Sequence, residues 1–164
     1  MDNKTYLKAA EVTEKKFPDG LRVPAKLFHE LSDKFLEIID TSNHIDDMKK
    51  ALIYKGVDTQ GVATISLNQQ QAEFLHAAMG MVTEVAEILD ALGPSLTVRD
   101  RTHFIEELGD VKWYEAIFLR HLDATAEQVQ AANIRKLQTR YPDKFNGFAA
   151  LNRNLDAERA SLES

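Results

Sequence analysis

Apolar residues recur along this chain at spacings of three and four, the period of an α-helix, and no segment shows the clear alternation of a half-buried strand. Leu27, Leu31, Phe35 and Ile38 form the first amphipathic stripe, which opens after Pro24. Ser42 and Asn43 then offer caps for a short second helix carrying Ile45, Met48 and Leu52. Residues 56–68 hold two glycines and small polar residues and read as a loop, in which Val62 to Leu67 suits a short extended piece. From Gln69 to Leu92 the pattern is strongest. Phe74, Ala78, Met81, Val85, Ile88 and Leu92 make one stripe, and Leu75, Met79, Val82, Ala86 and Leu89 make a second about 100° around. So wide an apolar arc predicts a helix packed against more than one neighbour, and Gly93-Pro94 ends it.

After the loop Ser95–Asp100 a further helix is expected from about Arg101 to His121, with Phe104, Leu108, Val111 and Phe118 on one face. Another runs from near Thr125 to Tyr141, where Pro142 disfavours continuation, with Ala126, Ile134, Leu137 and Tyr141 as its apolar side. Asn146-Gly147 marks a turn, beyond which Phe148, Leu151, Leu155 and Leu162 make a thin stripe on a charged terminal helix. The pattern as a whole is that of an all-α bundle. No internal repeat or low-complexity tract interrupts it.

Composition narrows the functional classes. The 164 residues are 44% hydrophobic and 28% charged, an ordinary balance for a soluble chain able to bury a core. A formal net charge of -6 argues against a protein that coats nucleic acid, yet leaves a nucleotide substrate open, since bound cations invert local charge. The chain has no cysteine, which removes disulfides, thiolate metal sites and cysteine nucleophiles. Met1–Lys16 is polar with no signal-peptide core, and no apolar run approaches the ~20 residues that span a bilayer, so a cytoplasmic protein with no membrane partner is expected.

The chemistry lies in two carboxylate pairs, Glu84-x-x-Glu87 and Glu107-x-x-Asp110. Members of each pair sit about 60° apart on one helix face, where like charges weaken a helix. A hard divalent cation held by carboxylate oxygens gives such pairs a purpose; a solvated polar face is the bland alternative. Gly80, one turn before Glu84, costs a helix about 1 kcal/mol against alanine, and with Ala77 and Ala91 it leaves room for a close approach. A short connection between the helices favours an antiparallel hairpin, in which Glu87 and Glu107 reach similar depth and four carboxylates converge. A di-iron bundle would need a Glu-x-x-His pair; here Asp110 follows Glu107 and Glu87 follows Glu84, so all-oxygen ligation favours Mg²⁺ or Mn²⁺. Asn133, Lys136 and Arg140 share one helix face and suit phosphate and ribose oxygens, though a basic stripe taken alone is usually plain solvated surface.

The segments GMVTEVAEILDAL, FIEELGDVKWYEAI and NIRKLQTRYPDKF together resemble the all-α nucleoside triphosphate pyrophosphohydrolases, which include MazG, the dimeric dUTPases and phosphoribosyl-ATP pyrophosphohydrolase. The resemblance covers about residues 68–148, and ALNRNLDAER near the C-terminus is similar to MazG-like proteins of phages and bacteria. It implies a MazG-like bundle completed by assembly into a homodimer or homotetramer. The resemblance does not reach the first 60 residues; the chain is expected to carry an N-terminal helical extension over residues 1–60 and a pyrophosphohydrolase domain over 61–164, together one compact unit. The resemblance implies that Glu84, Glu87, Glu107 and Asp110 bind two or three Mg²⁺ ions that grip a triphosphate. Attack of water on the α-phosphorus then releases a monophosphate and pyrophosphate, as nucleotide-pool housekeeping. Lys136 and Arg140 would neutralise phosphate oxygens, with Asn133 and Tyr141 nearby. Phosphoribosyl-ATP hydrolysis and a non-catalytic nucleotide-binding module are the alternatives. Some relatives carry a glutamate where this chain has Thr83; Glu106 points about 100° from Glu107 and replaces it only if the helix is turned.

For the base, Trp113 or Tyr114 offers a stacking surface or a core aromatic, and Gln69, Gln70 and His76 offer edge contacts or plain surface. His103 and His121 are expected to stand aside from the chemistry.

Overall fold

The computed structural model describes residues 1–163. Among them are seven α-helices, α1 Asn3–Thr13, α2 Ala25–Lys49, α3 Gln69–Leu92, α4 Arg101–His121, α5 Ala126–Arg140, α6 Gly147–Leu151 and α7 Leu155–Glu163, and no strand. A π-helical turn, Lys50–Lys55, continues α2. No helix is long and apolar enough to cross a membrane.

The chain forms two compact units, residues 22–122 and residues 1–21 with 123–164. In the first, α3 packs between α2 and α4. Each of these boundaries has a local cause. Asn68 accepts from the Gln71 backbone N–H while the Gln71 side chain accepts from Asn68, a reciprocal cap that starts α3. Gly93 ends it at φ 57°, a left-handed backbone that glycine adopts without strain. Asp100 caps α4 by accepting from the Thr102 and His103 N–H groups.

The core between α3 and α4 is small: Ala77, Tyr114 and Ile117, with Met81 and Phe118 against them. Gly80 belongs to it. A methyl group there would lie 2.1 Å from the Tyr114 ring, so the glycine exists to admit that ring. At the other end of the hairpin, Glu73 accepts from Arg120 at 2.8 Å and pairs with His121, while Phe74 stacks on Phe118 at 5.4 Å. His121 is thus part of a structural clamp. Between α2 and α3 an apolar cavity of about 120 Å³ is lined by Phe28, Leu31, Phe35, Leu89, Pro94 and Leu96, among others.

In the second unit Thr125 and Gln128 form another reciprocal cap for α5. Glu158 of α7 binds Arg140 of α5 at 2.9 and 2.7 Å and Arg153 at 3.3 and 2.6 Å. The Phe145 N–H donates to the Val12 carbonyl at 3.3 Å, tying α1 to the segment after α5.

Three expectations differ from this. Ser42 is no cap: α2 runs unbroken from Ala25 to Lys49, and Ser42 is buried on its inward face. Residues 62–67 form no strand. The terminal helix is two, because Asn154 caps a new start by accepting from the Ala157 N–H at 3.0 Å. Within the expected N-terminal helical extension the polar first residues form α1, started by the Asp2 carboxylate accepting from the Thr5 N–H.

Candidate metal centre

Helix α3 buries its small and polar side. Ala77, Gly80, Thr83, Glu84 and Ala86 are its buried residues, whereas Leu75, Val82 and Val85 of the apolar stripes stay exposed. Glu84 therefore faces inward, only 7% exposed, and Glu107 of α4 is 3% exposed. Carboxylate oxygens of Glu84, Glu107 and Asp110 lie within 4.8 Å of one another. Glu87 is exposed and stands beside this group rather than in it; it lines a polar cleft with Ser42, Asn43, Asp46, Thr83 and Asp90.

The electrostatics of the group are unfavourable as it stands. Burial pushes the Glu107 carboxyl up to about 7, and the charge of Glu87 and the adjoining Glu84 add to the rise. Glu84 is also raised, by burial first, then by the charge of Glu87, against the opposing pull of Thr83 and Lys49. Glu107 Oε2 is buried and meets no N–H or hydroxyl donor among the described residues, but the carboxyl, protonated at its raised pKa, shares a hydrogen bond with Glu84. A proton shared by Glu84 and Glu107 relieves the repulsion at low pH, and the three acids could instead hold a metal ion. The other Glu107 oxygen, Oε1, lies 3.0 Å from His103 Nδ1, so His103 touches the group instead of standing aside. His103, Glu106 and Glu107 also lie close enough to share an ion.

One residue of the centre was not foreseen. Lys49, at the end of α2, is buried with its ammonium 3.0 Å from Thr83 Oγ1, 3.1 Å from Asp46 Oδ1 and 3.9 Å from Glu84 Oε1. Burial alone would lower its pKa, but the hydrogen bond to Asp46 and the surrounding negative groups hold it above the ordinary lysine value. The signal in the sequence is the inward face of α2, which changes from Phe35 and Ile39 to Ser42, Asp46 and Lys49 at helical spacing. Past Lys49 the π-turn's i→i+5 bonding brings residues five apart onto one face. Tyr54, five on from Lys49, there meets His76 Nε2 at 3.0 Å.

The aromatic residues gather on the same unit. His76 meets Tyr54, Trp113 and Tyr114 edge to face at 5.7, 5.9 and 5.6 Å, and burial with the Lys49 charge lowers its pKa. Trp113 is 56% exposed and so is not core. Gln69 donates to Glu73 at 3.1 Å.

Asn133, Lys136, Arg140 and Tyr141 belong to the other unit. Asn133 donates to the Tyr6 hydroxyl at 3.3 Å, Arg140 commits two donors to Glu158, and Tyr141 is 5% exposed. Lys136 has no ion-pair partner among the described residues.

Paired helices that bring the buried Glu84 and Glu107 together with the exposed Asp110 define a class of protein: an all-α bundle with an acidic cluster that could hold a metal ion. Residues 70–145 match the model of the MazG nucleotide pyrophosphohydrolase domain, in keeping with the MazG-like all-α superfamily. No curated protein and no solved structure matches the chain.

Proposed function

We propose that this protein is a divalent-metal-dependent pyrophosphohydrolase of nucleoside or deoxynucleoside triphosphates, with Mg²⁺ as its ion and Mn²⁺ as a substitute. The observation that carries the reading is the convergence of the buried Glu84 and Glu107 with Asp110, their oxygens within 4.8 Å of one another, inside the segment that matches the MazG domain. An all-oxygen donor set of three carboxylates fits a hard cation and leaves coordination positions for phosphate oxygens. A divalent cation bound there supplies neutralisation of the triphosphate and activation of water for attack on the α-phosphorus. Glu84, Glu107 and Asp110 hold the ion, and Glu87 adds its charge from the cleft. In the reaction a water oxygen bonds to the α-phosphorus, the α–β anhydride bond breaks, and monophosphate and pyrophosphate leave. Trp113 supplies an exposed face for a base.

We expect pyrophosphate release from a panel of NTPs and dNTPs with Mg²⁺ or Mn²⁺, none with EDTA, and monophosphate as the co-product. Glu107→Gln keeps the helices and lowers kcat about a hundredfold or more. A fully active E107Q protein would sink the assignment. The exposed Leu75, Val82 and Val85 of α3 also support a homodimer or homotetramer, which sedimentation tests: a monomer at working concentration removes that part.

A further inference from the structure

Burying an ammonium is expensive unless its donors are taken up, and Lys49 keeps only 7% of its side chain exposed. Two donors are accounted for by Asp46 and Thr83. Glu84 Oε1 lies 3.9 Å from the ammonium, too far for a hydrogen bond, and Tyr114, its ring centre 5.7 Å away, is a further partner of the ammonium. The Thr83 hydroxyl that accepts from Lys49 has one proton of its own, within reach of the Gly80 carbonyl at 2.8 Å and Glu84 Oε1 at 3.1 Å. Lys49 therefore acts on Glu84 twice, by charge across the gap and by fixing the threonine that touches it. Asp46 does not cancel that charge for Glu84's benefit alone, because Lys50 shares the same aspartate.

We propose that Lys49 is a positioning residue of the carboxylate centre, a fixed ammonium that orients Glu84 through Thr83 and lowers the centre's affinity for a divalent cation. A cation already in place competes with an incoming one for the same carboxylate. The acids alone would hold an ion tightly; with Lys49 beside them the ion gains more from the oxygens of a phosphate ligand. This inference rests on reading Glu84, Glu107 and Asp110 as metal ligands.

The test is Mn²⁺ binding to the full chain without nucleotide, followed by electron paramagnetic resonance and calorimetry, with circular dichroism and melting as controls on folding. Lys49→Met is expected to bind Mn²⁺ about tenfold more tightly than wild type, and Lys49→Arg to stay within about twofold of it. A role in packing alone would lower the melting temperature and leave Mn²⁺ affinity equal or weaker in K49M; that result overturns the proposal. Should K49M not fold, Lys49→Gln removes the same charge while keeping a polar side chain, and it is expected to bind Mn²⁺ about tenfold more tightly than wild type; equal or weaker binding overturns the proposal. Wild-type protein that takes up no Mn²⁺ overturns the metal reading itself and this inference with it. Wild-type binding with no tightening in K49M overturns this inference alone.

Discussion

Two glycines of the hairpin look alike in the sequence and behave differently in the fold. Gly80 lies under the Tyr114 ring, where an added methyl would sit 2.1 to 2.4 Å from ring carbons. Gly109, between Glu107 and Asp110, has open space around it. Alanine is the better helix former by about 1 kcal/mol, so propensity alone favours both changes. At Gly80 the clash decides, since the ring is packed in the core and forcing it out costs about 1–3 kcal/mol or more. We expect Gly80→Ala to lower stability in a denaturant melt and Gly109→Ala to raise it by up to about 1 kcal/mol. A stabilised G80A protein would show that Tyr114 does not hold that position. Gly80, read from sequence as room for a close approach, admits the Tyr114 ring of the neighbouring helix, and which side chain fills the space is what no local pattern reveals.

At the level of elements, what was legible follows the reach of the signals. Helices α3, α4 and α5 lie where the stripes and their stops put them, because Gly93-Pro94, Asp100 and Thr125 act within a turn of the boundary. The bounds of α1 within the expected helical extension were not legible, because Asn3–Thr13 is mostly polar and its start rests on a single Asp2 cap. The acids were legible because each pair is local to one helix; Lys49 was not, since its partner Thr83 is 34 residues away and a helical lysine usually faces water. The clamp of α7 onto α5 was equally hidden, because Arg140 looked like a phosphate ligand until Glu158 was placed against it. Glu158 is held at about 2 by its hydrogen bonds to Arg140 and then Arg153, below the ordinary glutamate value of 4.5. A depressed carboxylate pKa contributes stability above the unfolded value and loses it as pH falls toward the folded one. The α5–α7 contact should therefore weaken as pH drops from about 4.5 to about 2. Glu158→Gln should lower the melting temperature at pH 7 and flatten this acid limb; an unchanged limb would show that another acid sets it.

For the whole molecule the acids of the centre oppose folding until something neutralises them. Glu107 carries a pKa of about 7 in the folded protein against an ordinary 4.5, so the folded state holds its proton more tightly than the unfolded chain does. Stability of the metal-free protein then falls as pH rises from about 4.5 to about 7, and the cost of an ionised buried acid is complete above that. A divalent ion needs the ionised carboxylates, so its binding strengthens over the same window and offsets that loss. At one hundred times its Kd a ligand specific to the folded state adds about 2.7 kcal/mol, a rise in melting temperature of roughly 5–10 °C for a chain of this size. We expect Mn²⁺ to raise the melting temperature by that order at pH 8 and by much less at pH 5, with EDTA restoring the metal-free value. The E107Q protein removes the titrating group, so it should be more stable than wild type without metal at pH 8 and respond little to Mn²⁺. An equal Mn²⁺ shift at both pH values, or an undiminished one in E107Q, would place the ion away from the buried glutamate pair and require another site for it.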